Sequence, residues 1–201
     1  TEAAHEPEII LGQFVTLVKD GKVVKISKRT GDVIALADIL DEVDPDVARL
    51  TFLLQSIDTT QTFDLDVVTQ QSMENPVYYV QYAHARIASM LEKAGEVRVD
   101  AALGEAAAGA AALEPAERAL IKKLLAFPGE VEDAAGRRAP HRIATYALEL
   151  AQDFTAFYRD CRVLGAEPEL LESFRLALCV ATKRTIARAL GVLGVSAPDS
   201  M

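Results

Sequence analysis

A short basic segment near the start of the chain has the residue types needed to handle phosphates. Lys25, Ser27 and Lys28 follow closely on the Gly-containing turn at Asp20–Gly21. Transfer of a nucleotidyl group places charge on a leaving pyrophosphate, and a mobile lysine can neutralise that charge as it develops. A hairpin end suits this role because it can move over a nucleotide and away again. These three residues are candidate catalytic residues that contact nucleotide phosphates; a solvated basic turn is the alternative.

A second group, aromatic and basic, has the residue types needed to contact unpaired bases. Tyr79, Tyr82 and Arg86 lie in a segment that opens at Asn75. On a helix, Tyr79 and Arg86 would be about 20° apart around the axis, and Tyr82 about 60° from Tyr79. Rings and a guanidinium on one exposed face can stack on bases and hydrogen-bond to them, as recognition of loop RNA requires. The alternative is that these tyrosines are half-buried packing residues.

β-prone runs on both sides of a turn predict the element that carries the basic segment. The runs 9–18 and 22–26 flank Asp20–Gly21, and Asp-Gly between two such runs is a strong hairpin signal. Two short helices should follow, the second beginning at Pro45. A loop over 58–62 should end this unit.

Apolar residues at alternating steps of three and four predict that the chain is helical from Val67 onward. His84 falls on one of these apolar stripes, which indicates a buried, hydrogen-bonded histidine. Pro128 and Gly129 should end a helix, and the Ala-rich residues 100–112 should form a variable connection, helical at most in part. The predicted helices span 77–94, 113–127, 143–164 and 168–190. Amphipathic helices joined by short loops predict an antiparallel bundle.

The charge of the chain is unevenly distributed. The net charge is −9, of which residues 1–66 carry −7 and residues 67–201 only −2. Basic side chains concentrate in two strips, at 19–29 and 173–201. An acidic body with local basic strips fits a specific RNA-binding protein better than a general one.

Cys161 and Cys179 form no Cys-x-x-Cys pair and are predicted to be buried, reduced thiols, which favours a cytoplasmic protein. No apolar run reaches the length of a membrane span, so no membrane partner is expected.

These segments together resemble a known family. Lys25–Arg29 resembles the KMSKS element of class I aminoacyl-tRNA synthetases, with Ile26 where Met is usual and Arg29 where Ser is frequent. The run 75–87 resembles the first helix of the anticodon-binding domain of arginyl-tRNA synthetases. Further resemblance to that family lies at 63–66, 140–143, 154–158, 175–178 and 193–201. A departure lies at Asp199 and Ser200, where a basic residue is common.

The resemblance implies the C-terminal portion of such an enzyme. The expected fold is mainly α: an antiparallel helical bundle of the class I anticodon-binding type. A β-hairpin and short helices from the end of a Rossmann-type catalytic domain precede it. The division would fall between 1–66 and 67–201. His5, His84 and His141 stand in no His-x-Gly-His motif, so this chain is expected to be inactive alone.

The resemblance also implies roles for individual residues. Lys25, Ser27 and Lys28 would contact ATP phosphates in the full-length enzyme, which would use ATP with Mg to activate arginine and then charge arginine tRNA. No cofactor is expected to bind this chain tightly, no metal site is expected, and a monomer is expected. The residues expected to contact the anticodon are Tyr79, Tyr82, Arg86, His141, Tyr158 and Met201.

Two other functions fit parts of the same pattern. A free-standing tRNA-binding module would use the helical bundle without any catalytic partner. A helical interaction scaffold would have no RNA role, and the Tyr79 and Arg86 face would then be coincidental. Binding of tRNA separates the scaffold from the other two.

Overall fold

A computed structural model of the chain describes residues 9–24, 36–70, 72–105 and 113–201. These ranges hold a small sheet followed by a helical bundle, so the predicted mainly α fold is confirmed. The strands are β1 (Val15–Lys19), β2 (Lys22–Val23) and β3 (Gln61–Asp64). The helices are α1 (Leu36–Glu42), α2 (Pro45–Leu53), α3 (Leu65–Val68), α4 (Pro76–Ala94), α5 (Glu96–Glu105), α6 (Pro115–Arg137), α7 (His141–Asp160) and α8 (Glu169–Val192). None of the helices in these ranges is long and apolar enough to cross a membrane.

The predicted hairpin is present. β1 and β2 pair antiparallel, with Val18 opposite Val23 and Lys19 opposite Lys22. Asp20 and Gly21 both have positive φ, 53° and 66°, which is the geometry that a two-residue hairpin turn requires. The Asp-Gly pair therefore sets the register of the hairpin.

The loop predicted over 58–62 is wrong in its second half. Gln61–Asp64 forms β3, which pairs parallel to β1 from Val15 opposite Gln61 to Val18 opposite Asp64, so the strand order is β2-β1-β3. Phe63 is fully buried there and its ring stacks on Phe52 at 4.7 Å. A four-residue strand has too little alternation to be recognised, and its partner is distant in sequence.

The helix end predicted at Pro128–Gly129 is also wrong, because α6 continues to Arg137. Proline inside a helix removes one hydrogen bond and costs about 3 kcal/mol or more. Packing on α7 offsets this cost on both sides of Pro128. Phe127 meets Tyr146 with ring centroids 5.2 Å apart, and Glu130 pairs with Arg142 at 2.9 Å. Tertiary contacts therefore keep α6 continuous across Pro128.

Two further predicted boundaries differ from the structure. α7 ends at Asp160 rather than Leu164, and Cys161 is extended (φ −119°, ψ 114°) although it stays buried. The apolar pattern therefore continues beyond the helix that it predicted. In the Ala-rich region, α5 extends to Glu105 and Ala102 is fully buried, while 106–112 lie outside the described residues.

The buried apolar residues form two clusters. The larger one joins α4, α6, α7 and α8, and includes both free cysteines as predicted. Desolvation raises the thiol pKa of Cys179 and of Cys161. The smaller cluster lies under the sheet and consists of Ile39, Val43, Ala48, Phe63, Leu65 and Val68. The division of the chain near residue 66 stays a prediction.

One ion pair is buried between α6 and α8. Glu117 is fully buried; its Oε1 accepts from Arg175 Nε at 2.7 Å, and its Oε2 accepts from the Glu114 N–H at 2.7 Å. Arg175 Nη1 also donates to the Arg162 carbonyl at 2.7 Å. The first turn of α6 and the loop after α7 are therefore fastened to α8 through a single arginine.

Removal of one partner of this pair should be strongly destabilising. Glu117→Ala leaves a buried guanidinium without its counter-charge, so we expect the free energy of unfolding to fall by ~3–5 kcal/mol. Urea denaturation followed by circular dichroism measures this loss. Glu149→Ala is the matched control because the Glu149 side chain is 49% exposed, and it should cost at most about 1 kcal/mol. A similar loss of unfolding free energy for both variants would contradict the stronger contribution expected of the buried pair.

Candidate nucleic-acid interface

The start of α4 sets the orientation of the candidate site. Asn75 Oδ1 accepts from the Val77 N–H at 3.0 Å, and Pro76 occupies the first helical turn, where its missing N–H is not needed. Gly95 ends the helix with φ 86°. With both ends fixed, Tyr79, Tyr82 and Arg86 keep a defined direction around the helix axis.

Arg86 lies between two tyrosine rings at the surface. Its Cζ is 4.5 Å from the ring centroid of Tyr158 on α7 and 5.8 Å from that of Tyr82 on α4. The Tyr78 ring stacks on the Tyr82 ring with centroids 6.0 Å apart, and the Phe154 ring packs against the Tyr158 ring with centroids 5.9 Å apart. Cation–π contacts of this kind hold a guanidinium plane in place. Within the described part of the chain no carboxylate pairs with Arg86, so its N–H donors are available to a ligand.

A groove of about 650 Å³ opens beside these residues. It brings together four of the predicted contact residues: Tyr82, Arg86, Tyr158 and Met201. Tyr158 and Met201 are 36% and 56% exposed, so an incoming ring could reach both. The groove therefore offers planar and apolar surface with hydrogen-bond donors at one side.

The charges along the groove are mixed. Lys93 and Arg86 line it together with Glu92 and Asp199. A hydrogen bond from Lys183 holds the pKa of Asp199 below its usual range, because Nζ lies 2.7 Å from Oδ1. Asp199 is therefore ionised at neutral pH, and the groove has no large excess of positive charge.

Tyr79 does not line the groove and is engaged with α7. Its side chain is half-buried, and its hydroxyl donates to Thr155 Oγ1 at 3.0 Å. The Thr155 hydroxyl in turn donates to the Ala151 carbonyl at 2.8 Å. Tyr79 thus fixes α4 against α7, and a direct base contact by Tyr79 stays a prediction.

His141 lies at the other end of α7. Tyr158 follows it by seventeen positions, which corresponds to about 25 Å along the helix. It lines a separate cavity of about 530 Å³ with Arg137 and Arg138 at the end of α6 and with the loop after α2. The structure does not bring His141 into the groove.

The other singled-out histidine is structural. His84 is 3% exposed, and its Nδ1 donates to the Pro198 carbonyl at 2.8 Å. The predicted hydrogen-bonded core histidine is confirmed. Among the described residues no group of three or more His, Cys, Asp or Glu side chains could hold a metal ion.

The basic segment that contains Lys25, Ser27 and Lys28 lies outside the described residues. The structure describes the chain up to Val24, at the end of the hairpin, and again from Leu36, at the start of α1. The phosphate-binding role of these three residues stays a prediction.

Three charged groove residues, Glu92, Lys93 and Asp199, were not recognised from the sequence. Lys93 lies seven residues after Arg86 on α4, and this spacing is a signal that could have placed both on one face. Asp199 reaches the groove only because the end of the chain returns to α4, and no local pattern indicates that return.

Comparison with known proteins identifies the bundle. A profile of the DALR anticodon binding domain matches residues 80–201. An arginine–tRNA ligase of Desulfitobacterium hafniense is 45% identical over 98% of this chain and 36% of its own length. The crystal structure of a candidate arginyl-tRNA synthetase from Campylobacter jejuni superposes with a TM-score of 0.83, at 32% identity over 96% of this chain and 41% of that one.

A second solved structure agrees with these matches. Thermus thermophilus arginyl-tRNA synthetase gives a TM-score of 0.71 at 28% identity, over 92% of this chain and 34% of that one. The chain spans about a third of the length of the curated relatives that it matches. The predicted resemblance to arginyl-tRNA synthetases is confirmed over nearly the whole chain.

Proposed function

Because the chain belongs to the DALR anticodon-binding domain family and aligns along nearly its whole length with arginine–tRNA ligases, we propose that it recognises the anticodon loop of arginine tRNA. In this proposal the chain is the C-terminal part of an arginine–tRNA ligase. The groove beside α4 is its RNA-binding site.

The observation that carries this proposal is the column formed by Tyr82, Arg86 and Tyr158. Two exposed or half-exposed rings hold a guanidinium plane between them at the edge of an open groove. Unpaired bases stack on aromatic and guanidinium planes, and their edges accept hydrogen bonds from arginine. An anticodon loop presents such bases, whereas a duplex does not.

The mixed charge of the groove supports recognition of bases rather than of phosphates. Lys93 and Arg86 are offset by Glu92 and Asp199 on the same surface. Few phosphates would be neutralised, so binding should depend less steeply on salt than binding to a strongly basic surface. Affinity would come from stacking and from hydrogen bonds inside the groove.

The basic segment would serve the activation of arginine in the full-length enzyme. There Lys25, Ser27 and Lys28 would contact ATP phosphates while arginine is activated, with Mg bound to ATP. Developing charge on the departing pyrophosphate is stabilised by a positioned ammonium group. The bundle would select the tRNA and would not take part in the chemical step.

RNA binding by this chain should depend on the column. Arg86→Ala and Tyr158→Ala should each weaken binding of arginine tRNA to this chain about ten- to hundredfold, because stacking is worth ~1–3 kcal/mol per base. Fluorescence anisotropy with labelled tRNA at fixed salt measures the dissociation constants. Arg118→Ala is the matched control, since it removes an exposed arginine of α6 that does not line the groove.

A tRNA with a changed anticodon provides the second comparison. It should bind the wild-type chain about as poorly as arginine tRNA binds Arg86→Ala. Equal binding of both tRNAs by the wild-type chain would refute anticodon recognition by this groove. Absence of any tRNA binding would favour the interaction scaffold.

The chain by itself should not activate arginine. It has no His-x-Gly-His motif, so a second loop for positioning ATP is missing and orientation of the reactants is lost. We expect no arginine-dependent exchange between ATP and pyrophosphate above background with the pure chain and arginine tRNA. Exchange above background would show that catalysis does not need a further segment.

In the full-length enzyme, Lys28→Ala should separate catalysis from tRNA binding. Loss of one positioned charge at a developing phosphate anion costs ~3 kcal/mol, so single-turnover adenylation should slow about a hundredfold. The affinity for arginine tRNA should stay within about twofold of wild type. Lys22→Ala is the matched control on the preceding strand. An unchanged adenylation rate would instead assign Lys28 to a solvated turn.

A further inference from the structure

The end of the chain leaves α8 and returns over the bundle. Residues 194–201 contain no helix or strand, and we call this segment the strap. Its last three residues, Asp199, Ser200 and Met201, form one wall of the groove. The geometry of the groove therefore depends on what holds the strap in place.

One set of contacts fastens the strap to α2. Asp46 Oδ2 accepts from the Ser196 N–H at 2.9 Å and also from the Ser196 hydroxyl. Arg49 Nη1 donates to the Gly194 carbonyl. Both residues lie on the first two turns of α2, in the unit that follows the basic segment.

A second set of contacts fastens the strap to the bundle. Gln81 of α4 donates to the Ser196 carbonyl at 3.1 Å, and the Pro198 carbonyl accepts from His84. Lys183 of α8 pairs with Asp199 at 2.7 Å. Ser196 is the residue at which the attachments to α2 and α4 meet, because Gln81 Nε2 also lies 3.4 Å from Asp46 Oδ2.

Asp46 touches the strap but does not line the groove. A single carboxylate oxygen satisfies a backbone N–H and a hydroxyl, and hydrogen bonds to a charged group are stronger than neutral ones. Without it, the Ser196 N–H loses its partner, and the strap is held at Ser196 by Gln81 and at Gly194 by Arg49. Movement of the strap at Ser196 would then displace Asp199 and Met201 from the groove wall.

We propose that Asp46 is a positioning residue for RNA recognition, which acts from α2 by fixing the strap at Ser196. This inference rests on the proposed function, because it assigns a further determinant of the same groove. In this proposal α2 contributes to RNA binding although it does not contact a base. It also connects the groove physically to the unit that carries the basic segment.

The test compares Asp46→Ala with Asp41→Ala in the 201-residue chain. Both changes remove one carboxylate from neighbouring helices, but Asp41 makes no contact with the strap in the described structure. Asp46→Ala should weaken binding of arginine tRNA about tenfold, and Asp41→Ala should leave it within about twofold. Ser196→Ala, which lies outside every helix, should show a smaller loss in the same direction.

The ratio of the affinity for arginine tRNA to the affinity for a changed-anticodon tRNA distinguishes positioning from a general loss of folded protein. Partial unfolding lowers the affinity for arginine tRNA and for a changed-anticodon tRNA by the same factor, so their ratio is unchanged. Displacement of the groove wall lowers the affinity for arginine tRNA more, so the ratio should fall toward one. Hydrogen exchange of residues 194–201 in the free chain should also become faster in Asp46→Ala and not in Asp41→Ala.

The outcomes separate the two proposals. If the wild-type chain does not prefer arginine tRNA, the proposed function is wrong, and the exchange measurement still tests the attachment of the strap. If the wild-type chain does prefer arginine tRNA and Asp46→Ala keeps the same ratio, the positioning role is overturned and anticodon recognition stands. Unchanged exchange in Asp46→Ala would likewise overturn the attachment.

Discussion

The buried side chain of Asn75 fixes the start of α4 against the end of α3. It is 4% exposed; its Oδ1 caps α4, and its Nδ2 donates to the Val68 and Gln70 carbonyls at 3.0 Å each. A polar group left unpaired at such a depth costs ~1–3 kcal/mol, so the three bonds are strongly coupled to folding. A shift of α4 by one residue would rotate Arg86 by about 100° and remove it from Tyr158.

The acidic character of the chain is compatible with RNA binding because several carboxylates have structural partners. Glu117 is paired with Arg175 inside the bundle, and Asp46 holds the strap. Desolvation opposes ionisation of Glu172, but the Gly165 N–H and Arg98 hold the pKa of this carboxyl below its usual range. The net charge of the chain therefore says little about the electrostatic potential inside the groove.

Local pattern determined much of the fold and part of the site. The Asp-Gly turn predicted the hairpin, and the stripe from Val77 to Ala94 predicted α4 because both signals act within a few residues. β3 and the second half of α6 could not be predicted in this way. Their stability comes from pairing with β1 and from packing against α7, and such contacts override local preference.

The groove likewise combines residues that local spacing predicts with residues that only long-range contacts bring together. Tyr82 and Arg86 share one helix, so their spacing alone brought them together. Tyr158 and Met201 lie on α7 and at the end of the chain, and only the family resemblance placed them in the same site. Asp46 was outside every pattern, because its role arises from one long-range hydrogen bond to Ser196.

α2 contributes to both apolar clusters. Ala48 belongs to the smaller cluster and Leu50 to the larger one, while Asp46 and Arg49 reach the strap. A helix with these contacts cannot move relative to the bundle without breaking bonds that shape the groove. By linkage, a ligand that orders the strap must also favour the attached position of α2.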